Sequence, residues 1–339
     1  MKPFRVGIDS YSLSPLKASP FGVLDWASAH GAAGVHFTEL NLADGRIDEG
    51  FLRELGQHAR RLELYLEWGG GQHVPFDTRT WRPRDLQAGN LAAARQAAAL
   101  GTSVIRSCSG GLFRWGDEAP PTEALLRAMG AALTPQMPLL AELGVVLAIE
   151  LHFEFTTFEL VRLFERCGAE PGGPLGICLD PMNLLTMLED PVAGTERVLP
   201  WVVATHAKDG ALVSGPEGLI SFPVEVGTGQ VDFERIIRRL AALGRNVNLS
   251  VEDHGGSFHL PVQDPVFLSR FPDLTTLELS RLFRMAQAGD AAVRDGRLAI
   301  TKREAWPELC EQRVARGVAS LKRMVNRLVE KGKAAGRAD

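Results

Sequence analysis

Four apolar runs in the chain each end in a side chain that can bind a metal ion. In chain order, these terminal residues are Glu150, Asp180, His206 and Glu252. A short apolar run is typical of a β-strand that is buried on both faces. A carboxylate or imidazole at the C-terminal end of such a strand lies where barrels and doubly wound sheets build their active sites. The set therefore predicts a site for one divalent cation.

The donor types narrow the choice of metal and indicate a chemistry. Two Glu and one Asp supply hard anionic oxygens, and the His adds a borderline nitrogen, which suits Mn²⁺, Co²⁺, Mg²⁺ or Zn²⁺ better than a soft metal. An ion that prefers six ligands keeps positions open for two adjacent substrate oxygens, such as the carbonyl and hydroxyl of a ketose. The ion would stabilise the enediolate that forms when a proton leaves the carbon beside a carbonyl.

Eight strand-like runs alternate with helical patterns along the chain. We predict strands at 6–10, 34–38, 64–67, 104–107, 145–150, 176–180, 202–206 and 248–252. Helical patterns follow most of them, at 23–30, 51–62, 85–100, 121–143, 157–166, 191–199 and 233–242. This repetition predicts an α/β fold, a single (β/α)₈ TIM barrel over residues 1–339. A doubly wound open sheet competes, but the turn after the first strand lacks the glycines of a dinucleotide-binding loop.

The chain continues beyond the eighth predicted strand. Residues 258–300 contain three prolines and an apolar helical pattern near 274–286, and we interpret them as an insertion at the catalytic end. A lid, a partner contact, a dimer arm and a plain surface cover all fit this segment. A last helix, at 304–328, is predicted to complete the eighth unit. A homodimer built through the insertion is one expected assembly.

The composition limits the classes of partner. The chain has 339 residues, 45% of them hydrophobic, which is enough for a large core. Its net charge is −4 with no basic stripe, so we expect no nucleic-acid partner. No apolar stretch is long enough to span a bilayer, and the N-terminus lacks the apolar core of a signal peptide. We therefore expect a cytoplasmic protein without a membrane partner.

Two motifs accompany the strand-end residues, namely His206-Ala-Lys208-Asp209 and the segment 226–233. They are similar to the His-x-Lys-Asp and Gly-x-Gly-x-(Val/Ile)-Asp-(Phe/Tyr) segments of one family. Over roughly residues 4–256, the chain resembles the xylose-isomerase-like barrel superfamily of sugar (phosphate) isomerases and epimerases. The resemblance implies that Glu150, Asp180, His206 and Glu252 bind one divalent metal. It also implies that Glu150 and Glu252 flank the substrate carbon and carry its proton.

Other side chains stand at or just beyond the predicted strand ends. The predicted substrate-binding residues are His36, Glu67, Trp68, Arg106, His152, Asn183 and Lys208. Glu39 is a further candidate, and Asp209 is interpreted as a cap or turn residue. Arg106 and Lys208 favour an acidic sugar derivative, because both can pair with a carboxylate or phosphate.

Asn183 departs from the family pattern, since the epimerases often carry a second His there. An Asn side chain can hydrogen-bond a substrate hydroxyl but is a weak ligand and no base. Asn183 and Arg106 also stand where the related DNA endonucleases would need two zinc-binding His. The first hypothesis is isomerisation or epimerisation of a small keto sugar or sugar acid. The alternative is a metal-dependent decarboxylase, or another lyase, of a 3-oxo sugar acid, and a non-catalytic sugar- or partner-binding barrel is the third.

Overall fold

The computed structural model describes residues 4–38, 40, 42 and 47–335. Its strands are β1 Val6–Asp9, β2 Gly34–Phe37, β3 Tyr65–Gly71, β4 Val104–Ser107, β5 Val146–Glu150, β6 Leu175–Leu179, β7 Val202–Ala207, β8 Asp209–Gly215, β9 Gly218–Val224, β10 Leu249–Val251 and β11 Phe258–Leu260. Eight of them form a closed barrel in the order β1-β10-β7-β6-β5-β4-β3-β2, and all neighbours in it are parallel. The predicted TIM barrel is confirmed.

Helices lie between the barrel strands and after them. They are α1 Pro20–Ala29, α2 Glu49–Arg61, α3 Gln87–Leu100, α4 Thr122–Leu133, α5 Met137–Glu142, α6 Thr157–Cys167, α7 Pro181–Thr186, α8 Pro191–Val198, α9 Phe233–Ala241, α10 Pro265–Ser269, α11 Thr276–Arg294 and α12 Trp306–Ala335. The single helix predicted at 121–143 is wrong in its middle, where a 3₁₀ turn at Thr134–Gln136 separates α4 from α5. Pro135 and Pro138 cause this break, because proline lacks the N–H that continues a helix.

A β-hairpin that the hydrophobic pattern did not lead us to predict follows β7. Strands β8 and β9 pair antiparallel, and β11 adds to β9 as a third strand. Residues from the hairpin and from the later segment share a small apolar core, made of Ala211, Val213, Phe222, Val224, Ala292 and Leu298. The segment 258–300 therefore does not stand apart from the barrel units. It folds over the hairpin, with α11 packed against β8.

The C-terminal helix α12 packs on the barrel through an apolar stripe. Its buried residues recur every three or four positions, at Cys310, Val314, Val318, Leu321, Val325 and Leu328. Burying each of the larger aliphatic side chains contributes about 1.5–3 kcal/mol relative to leaving it in water. This stripe holds α12 against the barrel. Among the described helices, α12 included, none is long and apolar enough to cross a membrane.

Strand alternation decides which side chains enter the barrel. The Tyr65 ring occupies the interior near β1 and β2, where a Cβ on Gly7 or Gly34 would lie 2.4 Å or less from it. The Tyr65 hydroxyl lies 2.8 Å from Ser250 Oγ across the barrel. Since side chains alternate along a strand, the residues two positions further on also face inward. The barrel interior thus changes from small and aromatic side chains to charged ones at its C-terminal end.

Candidate active site and metal centre

The four predicted metal ligands converge at the C-terminal end of the barrel. One donor atom from each of Glu150, Asp180, His206 and Glu252 lies within 4.8 Å of the other three, and all four residues are buried. His206 Nδ1 is 3.2 Å from Glu150 Oε1 and 2.5 Å from Glu252 Oε2. Each residue stands within one position of the end of its strand, as the apolar runs predicted. The geometry brings together the whole set.

Asp180 provides a test of whether the cluster suits a cation. Its Oδ1 accepts a hydrogen bond of 3.0 Å from the backbone N–H of Asn183, which caps α7. Its Oδ2 is buried and has no hydrogen-bond partner among the described residues. Burial raises the pKa of the Asp180 carboxyl, with Glu252 and Glu150 nearby adding to the effect. A buried, unpartnered carboxylate oxygen is costly unless a cation compensates it, so the residues fit a divalent ion.

Two buried cations hold the two glutamates. Arg106 donates to Glu150 through its guanidinium, and Lys208 Nζ donates to Glu252 Oε1 at 3.0 Å. Burial alone would raise the pKa of both carboxyls, but the adjacent cations, together with His206, lower it below the usual value. Arg106 and Lys208 line the cavity as predicted. Their charges are already balanced by the candidate ligands, which limits what they can offer to a substrate carboxylate.

Asp9 supports His206 and was missed as a functional residue. Its Oδ2 lies 3.2 Å from His206 Nε2 and accepts a 2.5 Å hydrogen bond from Thr38 Oγ1. Its Oδ1 accepts a 2.7 Å hydrogen bond from the backbone N–H of Tyr11. A carboxylate behind a metal-binding imidazole fixes the orientation of its ring. The signal was present in the sequence, since Asp9 is also a carboxylate at the end of an apolar run.

His36 and Glu67 were predicted to contact the substrate, and the structure corrects this. His36 Nδ1 lies 3.2 Å from Glu67 Oε2, and the His36 ring meets the His206 ring edge-on at 4.8 Å between centroids. Glu67 Oε1 accepts from Asn248 Nδ2 at 2.9 Å. Neither residue lines the cavity. Both side chains support the ligand layer from inside the barrel.

Trp68 and Asn183 are also corrected, whereas Glu39 lies outside the described residues. Trp68 follows the inward-facing Glu67, so alternation turns it to the outer face, where its Nε1 donates to Gln96 Oε1 on α3 at 3.3 Å. Asn183 is fully buried in the first turn of α7, and its Nδ2 donates to the Leu151 carbonyl at 3.1 Å. Its Oδ1 accepts from Lys208 Nζ at 3.4 Å, so Asn183 positions that lysine.

Asp209 connects the two sequence motifs. Its carboxylate accepts backbone N–H groups from Gly227 at 2.8 Å, Gly229 at 3.0 Å and Val231 at 3.2 Å. A Cβ on Gly229 would lie 2.2 Å from Asp209 Oδ1, so that position requires glycine. Asp209 thus fixes the loop after the hairpin, and its neighbour Lys208 is held at the site.

A cavity of about 350 Å³ opens above the cluster, a volume suited to a small molecule. Predicted site residues in its wall are Arg106, Glu150, His152, His206, Lys208 and Glu252. Further residues in the wall were not among the predicted site residues, namely Tyr11, Thr38, Cys108, Gly110, Leu112, Phe153, His254, Phe258 and Arg303. Phe258 and Arg303 come from chain beyond the eighth barrel strand, where the sequence shows no motif.

A family model described as the xylose isomerase-like TIM barrel matches residues 24–267. The chain belongs to this family. A curated relative, the 3-oxo-isoapionate decarboxylase of Pectobacterium atrosepticum, is 30% identical over 205 residues. That match covers 59% of this chain and 66% of the relative, slightly less than two thirds of its length.

Solved structures share the fold at low sequence identity. A D-psicose 3-epimerase from Clostridium cellulolyticum H10, solved with D-tagatose, has a TM-score of 0.60 and 12% identity over 95% of this chain and 99% of that one. A xylose isomerase-like TIM barrel protein from Mycobacterium smegmatis, in complex with magnesium, has a TM-score of 0.55 and 16% identity over 80% of this chain and 98% of that one. These likenesses establish the fold alone.

Proposed function

We propose that the chain is a divalent-metal-dependent enzyme that acts on a small keto sugar or sugar acid through an enediolate. The convergence of Glu150, Asp180, His206 and Glu252 beneath a cavity of small-molecule size carries this proposal. The unpartnered Oδ2 of Asp180 supports a cation there. A bound Mn²⁺, Co²⁺, Mg²⁺ or Zn²⁺ would supply a Lewis acid that acidifies the C–H beside a substrate carbonyl.

Glu150 and Glu252 are the proton-carrying candidates. The strands that bring them, β5 and β10, lie on either side of β7, which carries His206. Arg106 holds one carboxylate and Lys208 holds the other, so both are fixed in position and ionised. One carboxylate is placed to remove a proton from the substrate carbon, and the other, after it takes up a proton from solvent, to return one. Orientation of this kind is what general acid–base catalysis requires.

Two reactions share the enediolate. Decarboxylation of a 3-oxo sugar acid breaks the C–C bond to the carboxylate, leaves its electron pair in the enediolate, and needs only a final protonation, by a glutamate that has taken up a proton from solvent. The name of the 30% identical relative favours this outcome, and we place it first. Isomerisation or epimerisation needs removal and return of a proton, and the paired Glu150 and Glu252 favour it as the second candidate.

The experiment that tests the proposal follows deuterium. The Mn²⁺-loaded protein is incubated in D₂O with ketoses, keto sugars and 3-oxo sugar acids, and the products are analysed by mass spectrometry. Deuterium gained with loss of the mass of CO₂ identifies a decarboxylase. Deuterium gained with an intact carbon skeleton identifies an isomerase or epimerase. Binding of sugars with no turnover of any compound would contradict both reactions and favour the non-catalytic barrel.

Matched variants make this experiment specific to the site. Glu150→Gln and Glu252→Gln remove one carboxylate each and should lower turnover by about a hundredfold or more, since general acid–base catalysis is worth at least that. Glu225→Gln makes the same change outside the cavity, where Glu225 pairs with Arg316. Full activity of a folded Glu150→Gln or Glu252→Gln variant, judged by its circular dichroism melt, would overturn the assignment.

The remaining expectations from the sequence stay predictions. A small sugar or sugar acid is the partner that this family membership supports. The cytoplasmic location and the homodimer are two of these predictions. Sedimentation velocity of the purified chain measures whether it forms a homodimer.

A further inference from the structure

Arg303 lies in the wall of the cavity, in the 3₁₀ turn Arg303–Ala305 before α12. It differs from the other two cations of the cavity in one respect. Arg106 and Lys208 are buried and paired with Glu150 and Glu252. Within the described part of the chain, the Arg303 guanidinium makes no ion pair or hydrogen bond. Its charge is therefore available to a ligand.

The backbone of residues 301–303 packs closely against the backbone of residues 255–256. Gly255 and Gly256 follow the strand that brings the candidate ligand Glu252, and the Gly256 N–H donates to the Thr301 carbonyl at 2.8 Å. A Cβ on Gly255 would lie 2.7 Å from the Lys302 carbonyl oxygen, so a larger residue would force the two segments apart. The two glycines thus bring residues 301–303 against the rim of the metal cluster.

An arginine clamp holds this arrangement in place. Arg313 of α12 donates to both oxygens of Asp253, at 2.9 and 2.7 Å, and to Thr301 Oγ1 at 2.7 Å. Asp253 is the residue directly after Glu252. The clamp therefore connects the segment of Arg303 to the strand end that carries a candidate metal ligand. These hydrogen bonds fix the backbone that carries Arg303, which restricts the positions that its exposed side chain can reach.

We propose that Arg303 binds the carboxylate of an acidic substrate while the keto and hydroxyl oxygens of that substrate face the metal cluster. This inference rests on the proposed function and narrows the substrate class to sugar acids. A guanidinium and a carboxylate form two parallel hydrogen bonds, which fix orientation as well as charge. The sequence favoured Arg106 and Lys208 for this role, but their pairing with the glutamates leaves Arg303 as the unbalanced cation in the wall.

The ion pair between Arg303 and the substrate carboxylate stabilises the enzyme–substrate complex before the reaction. If CO₂ is lost, the carboxylate gives up its charge as the bond breaks, so pairing with Arg303 favours the ground state more than the transition state. Removal of Arg303 should therefore raise KM for a sugar acid without lowering kcat, which stays the same or rises. A residue with a purely structural role would instead lower activity towards acidic and neutral compounds alike.

Two four-carbon probes test the inference. D-erythronate carries a carboxylate and L-erythrulose, a ketose, does not. Their binding to the Mn²⁺-loaded protein is measured by calorimetry and by water-proton relaxation, which reports whether a probe displaces water from the ion. Arg303→Met removes the charge and Arg303→Lys retains it. Lys302→Met is the matched control, because Lys302 is exposed and lies outside the cavity wall.

Arg303→Met should weaken erythronate binding about tenfold or more, as loss of a charged hydrogen bond predicts. It should leave erythrulose binding within about twofold, since that probe has no carboxylate to lose. Arg303→Lys should recover part of the loss, and Lys302→Met should change neither affinity. Equal binding of erythronate by the wild type and Arg303→Met would overturn the inference and leave the proposed function intact.

Calorimetry tests the role of Arg303, and water-proton relaxation tests chelation at the metal cluster, so the inference and the proposed function can fail independently. Erythronate binding that depends on Arg303 but displaces no water from Mn²⁺ would support carboxylate binding by Arg303 and contradict the proposed chelation of the substrate at the metal cluster. Failure of both probes to bind the wild type would overturn both. Metal content and melting temperature of each variant confirm that it is folded, as expected for a substitution at an exposed side chain.

Discussion

Asp180 differs from the other candidate ligands in how its charge is balanced. Arg106 donates to Glu150 and Lys208 donates to Glu252, whereas the Lys208 ammonium is 3.6 Å from Asp180 Oδ2 and forms no hydrogen bond to it. Each glutamate therefore accepts a hydrogen bond from its own cation, whereas Asp180 accepts none from a cation among the described residues. The excess negative charge belongs to the residue whose oxygen is unpartnered. We expect this imbalance to favour binding of a divalent ion and to destabilise the metal-free protein.

We predict that Asp180→Asn loses metal and gains metal-free stability. The amide oxygen keeps the cap on Asn183, and the neutral side chain removes repulsion from Glu150 and Glu252. Metal affinity, measured by calorimetry, should fall at least about a hundredfold, while the metal-free free energy of unfolding should rise by about 1 kcal/mol. Wild-type metal affinity in this variant, or a lower metal-free stability, would contradict the charge imbalance.

At the scale of the secondary-structure elements, the sequence predicted where the strands end. It did not predict which side chains near those ends reach the cavity. All eight barrel strands follow from apolar runs, and the four candidate ligands follow from the four runs that end in a metal-binding side chain. Trp68 was assigned to the wrong face because Glu67 and Trp68 are neighbours in a strand and cannot both point inward. Asn183 and His36 stand near strand ends, but side-chain packing decides whether such residues reach the cavity.

The hairpin and the rim arginine were missed for two other reasons. Strands β8 and β9 pair through a two-residue turn at 216–217, and the Gly-Pro-Glu-Gly sequence there is a local turn signal that the hydrophobic pattern did not include. The pairing of β9 with β11 joins distant parts of the chain and has no local pattern. Arg303 reaches the cavity through the contact of residues 255–256 with 301–303. A single sequence shows no periodicity for a contact of this kind.

The contact at Gly255 gives a prediction for that segment. Gly255→Ala would place a Cβ 2.7 Å from the Lys302 carbonyl oxygen and should lower the free energy of unfolding by about 1–3 kcal/mol. Gly89→Ala is the control, because a Cβ there meets nothing within 4 Å and the position is in α3. The control should be neutral or stabilise by about 0.5–1 kcal/mol. Urea denaturation measures both, and equal stabilities would show that the segment is not held closely.

At the scale of the whole molecule, the segment beyond the eighth strand completes the catalytic end. Strand β11 joins the hairpin, and the His259 carbonyl accepts from Trp115 Nε1 at 2.7 Å. Phe258 and Arg303 then reach the cavity wall from opposite ends of this segment. The barrel alone supplies the candidate metal cluster. The chain beyond the eighth strand supplies an apolar surface above it through Phe258 and a cationic surface through Arg303. We therefore propose that metal binding and substrate selection are carried by different parts of the fold.

His73 links this end of the barrel to the pH dependence of global stability. It is fully buried beside Ser107, and burial lowers the pKa of His73 to about 4. An unfolded histidine titrates near pH 6.5, so on acidification the unfolded chain takes up the proton first. The stabilisation is complete above pH 6.5 and declines as the pH falls towards 4, by about 3 kcal/mol in all.

His73→Gln should remove this part of the acid sensitivity. Urea denaturation of both proteins from pH 7.5 to pH 4, with chelator present, should show the wild type losing about 3 kcal/mol more than the variant. The comparison between the two proteins cancels the contributions of the other titrating groups, since only one side chain differs. Parallel stability curves would mean that His73 is protonated alike in both states, and that its burial at this end of the barrel is not what limits acid stability.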